Sequence, residues 1–185
     1  MLTENNHSGG LIMNRSKRVV FVAHCLLNSN AKVVGYAEEP GVFTRELQPY
    51  INQGVGIVQL PCPEITFLGI NRWGMTQDQY DTPSYRRHCQ QLLTPIVDQI
   101  ELYLRFGYTV EGILGIEGSP SCGVGYTFVG YQGGRIQCLL ESPEAANSIA
   151  QSEQKNIKGI YIDELAKLLE ARKIVAPIIG IEEER

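Results

Sequence analysis

The chain has 185 residues, 43% of them hydrophobic and 19% charged, with a formal net charge of −4 and a pI near 5.4. That size suits one globular domain with a real core, and the mild acidity excludes the basic footprint of a nucleic-acid or anionic-membrane binder. No apolar run approaches the roughly 20 residues of a membrane-spanning helix. Residues 1–17 are polar apart from Leu11, Ile12 and Met13, and lack the apolar stretch of a signal peptide. They read as a flexible tail on a cytoplasmic protein, leaving 18–185 as a single α/β domain.

In chain order, Arg18–Ala23 is a β-branched apolar run that predicts a buried parallel strand. Residues 41–52 carry Val42, Phe43, Leu47, Tyr50 and Ile51 at roughly helical spacing. Residues 55–60 predict a second strand. The longest helical pattern spans 83–106, with Pro83 suited to a first turn and Gly107 placed to end it. Pro95 is expected to kink or split it. A third strand follows at 110–116. Residues 125–142 read as a β-hairpin excursion, Tyr126–Tyr131 turning at Gly133-Gly134 into Arg135–Leu139. A short helix is expected to open at Ser142-Pro143-Glu144. Residues 162–173 predict a helix with Asp163 and Glu164 in its first turn, and 176–181 a fourth strand. Strands alternating with helices define a Rossmann-like α/β fold: an open, mostly parallel sheet with helices on both faces.

Five cysteines without a secretory signal argue against a disulfide framework. Three of them each follow a predicted strand: Cys25 after the first, Cys62 after the second, Cys122 after the third. Ligands of an open α/β sheet bind outside the carboxyl ends of its strands. Parallel strands therefore bring these thiols to one edge, although 37 and 60 residues separate them. A lone buried cysteine is more often a small core hydrophobe; three at successive strand ends point to a site. Cys89 lies inside the long helical pattern and Cys138 in the hairpin, so both read as structural. Thiolates suit zinc, copper(I) and iron–sulfur clusters. Structural zinc usually takes close cysteine pairs, absent here, and electron-transfer clusters usually take four cysteines. Three would leave one iron open, as catalysis needs. His24 is set aside as a fourth ligand, because neighbours in extended backbone point opposite ways.

At Cys-Leu-Leu 25–27, Cys-Pro-Glu 62–64 and Ser-Pro-Ser-Cys-Gly 119–123, the chain resembles the thiouracil desulfidase (TudS) family. The resemblance runs from about residue 19 to residue 140. It implies a 4Fe-4S cluster on Cys25, Cys62 and Cys122, whose open iron accepts sulfur from a thiocarbonyl substrate, with Glu64 and Ser119 as the catalytic polar groups. The family's second cysteine and Arg-Tyr-Asp-Gly run are replaced by Asn28–Val33, and its Gly-Gly-Leu after Cys-Pro-Glu by Ile65–Ile70. A divergent branch is implied, with substrate identity open.

Each residue also has a plainer reading. Glu64 beside apolar Ile65 and Phe67 suits a general acid–base, or simply an acid at a helix start. Ser119 and Ser121 also suit turn or cap positions. Glu117 reads as a supporting residue, and Arg72, Trp73 and Tyr80 as either a substrate lid or a surface loop. The expected function is non-redox, hydrolytic removal of sulfur from a small thiolated heterocycle. No nucleic acid, membrane, nicotinamide or flavin is implied, since neither dinucleotide nor Walker motifs occur. The competing expectation is a non-catalytic module binding zinc or a labile cluster.

Overall fold

The computed structural model describes residues 15–131 and 152–183. Residues 1–14, the hairpin's second arm at Arg135–Leu139 with Cys138, and the helix expected at Ser142 lie outside the described residues.

The central sheet holds four parallel strands: β1 (Arg18–Ala23), β2 (Gly56–Leu60), β3 (Thr109–Ile116) and β6 (Ile178–Ile181), in the order β2-β1-β3-β6. Five of the six β1 residues are buried, as a strand flanked on both sides requires. Between the strands run α2 (Thr44–Asn52), α5 (Pro83–Arg105) and α6 (Ile160–Ala171). Right-handed crossovers put α2 on one face and α5 with α6 on the other. The shared core joins Phe21, Leu26, Leu47, Leu93, Val97, Ile100, Ile113, Leu114 and Ile162, all fully buried. Each such side chain contributes roughly 1.5–3 kcal/mol.

Thr82 caps α5 by accepting from the Tyr85 N–H at 3.2 Å, and Gly107 takes a positive φ of 73° just beyond its end. Pro95 does not split this helix, which runs unbroken for 23 residues. The lost N–H bond costs about 3 kcal/mol, and burial of Leu93, Val97 and Ile100 around it offsets that.

The strand β4 (Thr127–Val129) pairs antiparallel with β5 (Glu153–Lys155). Four-residue helices α1 (His24–Leu27) and α4 (Gln77–Tyr80), and six-residue α3 (Pro63–Leu68), are too short to leave a periodic signal.

A crossover leaves β1 toward β2, and the next returns past β1 to β3, so the switch point lies between β1 and β3. The register pairs Ala23 with Leu60. Cys25 and Cys62, each two residues further on, leave the sheet level with one another.

Candidate functional site

The site is assembled from three strand ends. Cys25 lies in the single turn α1, where helical backbone replaces the extended chain expected there, so strand alternation says nothing about His24. Cys62 is the N-cap of α3, its sulfur accepting from the Ile65 N–H at 3.5 Å. Cys122 sits in the turn after β3, whose backbone folds back so that Cys122 O accepts from Ile116 N–H at 3.0 Å. Cys25 and Cys62 keep part of their surface in solvent, whereas Cys122 is buried. Two of them feel the charge of the others: Cys25 that of Cys62, and Cys122 that of both. Desolvation pushes Cys25 up to about 12 and Cys122 well above the ordinary thiol range. Cys62 is also raised by burial, against which the Ile65 N–H acts. Protonated thiols of this kind are poor nucleophiles.

Glu64 is buried at the second position of α3 and adds to the field at all three thiols. Its Oε2 accepts from Arg72 Nε at 2.9 Å, with side chains only 11% and 5% exposed. A second donor of Arg72, Nη2, reaches Ala31 O at 2.8 Å. Tyr80 Oη lies against this pair, buried and without a hydrogen bond of ordinary geometry. Arg72 and Tyr80 are therefore interior residues that hold the carboxylate, while Trp73 is 71% exposed. Nothing in the local pattern signalled the Glu64–Arg72 pair.

Ser119 Oγ accepts from the N–H groups of Cys122 at 3.0 Å and Ser121 at 3.3 Å, so it closes the cysteine's turn and retains one proton to donate. Ser121 Oγ shares a 2.8 Å bond with Tyr85 Oη and is fully buried. Glu117 accepts from three successive amides, Val124, Gly125 and Tyr126, at 2.9–3.2 Å. It pins the loop beyond Cys122. Lys32, paired with Glu183 and lying over the Phe43 ring at 5.5 Å, is a further cation whose charge reaches Cys25. Sequence reasoning missed it. Cys89 is buried in α5 among the core side chains.

Among the described residues, no group of three or more His, Cys, Asp or Glu side chains is arranged to hold a metal ion. Zn–S bonds of about 2.3 Å crowd all ligands around one ion. Thiolates also suit iron–sulfur clusters, in which each cysteine binds a different iron. Among the described residues, the buried hydroxyl of Tyr161 has no hydrogen-bond partner. Three cysteine thiols are soft donors of the type that such a cluster takes.

The fold and edge thus define an open, parallel α/β protein with three cysteines beyond the carboxyl ends of its strands. This chain is 38% identical over 110 residues to the uncharacterized protein MJ0003 of Methanocaldococcus jannaschii, a span covering 60% of this chain and 70% of that protein. It belongs to the same family as MJ0003. No family model matches the chain. Among solved structures it is similar to a [4Fe-4S]-dependent thiouracil desulfidase, TudS, over 88% of this chain and 90% of that one, at a TM-score of 0.49 and 19% identity. Among the described residues, no helix is long and apolar enough to cross a membrane.

Proposed function

We propose that this protein is a 4Fe-4S-dependent desulfidase that removes sulfur from a small thiolated heterocycle of thiouracil type. The observation that carries this reading is the meeting of Cys25, Cys62 and Cys122 at three strand ends, beside the switch point and in the field of Glu64. The three motifs around these residues support it. Cys25, Cys62 and Cys122 would hold the cluster, one thiolate each. When bound, the cluster supplies an iron without a protein thiolate, a Lewis acid for a thiocarbonyl sulfur.

Glu64 acts as general base toward a water that attacks the carbon bearing sulfur. Arg72 orients its carboxylate through the 2.9 Å bond. Ser119 orients the substrate by a hydrogen bond from its remaining O–H while its oxygen keeps the Cys122 turn closed, and Glu64 passes the water's proton on to the departing sulfur. Carbon exchanges sulfur for oxygen, water supplies the oxygen and both protons, and hydrogen sulfide leaves without any change of oxidation state.

Anaerobic reconstitution tests this. The protein should turn brown with a broad band near ~400 nm, as iron–sulfur–thiolate centres do, and should release sulfide from a thiopyrimidine. Cys25→Ser, Cys62→Ser and Cys122→Ser should each lose iron, whereas Cys89→Ser keeps it. A colourless, zinc-loaded protein, or loss of iron in Cys89→Ser, overturns the assignment.

A further inference from the structure

Tyr161 is the second residue of α6, and its side chain is fully buried. Among the described residues its hydroxyl has no hydrogen-bond partner. Buried tyrosine hydroxyls normally find one, because leaving water without replacement is costly. The neighbouring Tyr85, equally deep, shows the ordinary solution in its 2.8 Å bond to Ser121 Oγ.

Tyr161 cannot withdraw to find a partner. Its N–H donates to Ser121 O at 2.9 Å, and the Ile160 and Ile162 N–H groups bind Pro120 O at 3.0 Å and Ser121 O at 3.2 Å. The first turn of α6 is therefore capped by the carbonyls of the turn that carries Cys122. Behind it, the Gly159 backbone is pressed against the same turn. A Cβ there would lie 2.5 Å from Ser121 C and 2.9 Å from Cys122 N. The backbone that carries the phenol is held against the Cys122 turn. Three sulfurs lie within its electrostatic reach, Cys122 foremost, then Cys89 and Cys62.

A phenol donates well to ionised or bridging sulfur, and hydrogen bonds to sulfur are a main means by which proteins tune such centres. Resting on the function proposed above, we infer that Tyr161 Oη donates a hydrogen bond to a sulfur of the cysteine-held group on the Cys122 side, and that this bond sets the group's reduction potential. In the metal-free protein the same hydroxyl does no work.

The test is Tyr161→Phe, which removes the oxygen and keeps the ring. Tyr103→Phe, in the last turns of α5, serves as control. In metal-free protein, Tyr161→Phe should leave the denaturation midpoint unchanged or higher, because no bond is lost. After anaerobic reconstitution, iron and sulfide content should match the parent. The one-electron reduction equilibrium should shift toward the oxidised form by about threefold to tenfold, the upper figure being 59 mV, with a change in the reduced-state EPR spectrum. Tyr103→Phe should shift neither. Parent-like potential and spectrum in a loaded Tyr161→Phe protein overturn the inference and leave the proposed function standing. A lower midpoint for metal-free Tyr161→Phe also overturns it, by showing that the hydroxyl has a partner in the protein. Failure of the parent protein to assemble any cluster removes both.

Discussion

Glu64 is the general base of the proposed reaction, and Arg72 holds its carboxylate through a 2.9 Å bond. A carboxylate two residues past Cys62 was readable as a candidate base, but its partner eight residues away was not. That pairing depends on how the loop after α3 closes back over Ala31. Glu64→Gln keeps size and hydrogen bonding, so cluster content should be unchanged while desulfidation falls at least about a hundredfold, the lower end for general acid–base groups. Full turnover with an intact cluster would reduce Glu64 to a helix-start acid. Arg72→Met should destabilise by about 3–5 kcal/mol, since it strands a buried charge. The double variant with Glu64→Gln should recover much of that, and denaturant midpoints of all three proteins check it.

Among elements, the contact of α5 with α6 shows how polar groups hold a helix pair that also frames the site. Arg86 Nη1 donates to Asp163 Oδ2 at 2.7 Å and to Glu164 Oε1 at 2.5 Å, and Gln90 donates to Glu164 Oε2 at 2.7 Å. Lys167 donates to both acids. Burial alone would raise the two carboxyls, but these hydrogen bonds outweigh it and hold Asp163 and Glu164 below the usual carboxylate range. A depressed folded-state value stabilises the fold above the unfolded carboxylate range and is lost as pH falls through the folded value. The melting temperature should therefore drop as pH falls below about 4. Glu164→Gln should flatten that slope while lowering stability at neutral pH. An unchanged slope would show that these acids do not couple folding to protons.

At the scale of the molecule, the Cys122 turn is enclosed by three elements far apart in the chain. Gly115 of β3 leaves no room for a Cβ against Cys122 O, and Gly159 before α6 leaves none against Ser121 and Cys122. Gly180 of β6 leaves none against Glu117. The sheet and α6 must all be in place before this thiol has its position. Gly159→Ala should therefore cost about 1–3 kcal/mol by overpacking and reduce iron uptake. Gly41→Ala, where a Cβ meets nothing within 4 Å, should do neither. Iron uptake by Gly159→Ala equal to that of the parent would show that the turn tolerates displacement.

Apolar runs alone marked β1, β2, β3 and β6 to within two residues: β1 and β3 are flanked on both sides and buried along most of their length, and the edge strands β2 and β6 still set apolar residues against the core. They also placed Cys25, Cys62 and Cys122 at one edge, since parallel order sends every carboxyl end the same way. Composition could not show that Pro95 stays inside a continuous helix, because the offsetting burial comes from neighbouring elements. Nor could it reveal the β4–β5 pairing, the Glu64–Arg72 pair, the role of Glu117 as a clamp on three amides, or the orphaned Tyr161 hydroxyl. Hydrophobic periodicity records whether a position is buried. Which polar group meets which across a fold depends on distances that exist only once the sheet, its crossovers and its loops have closed.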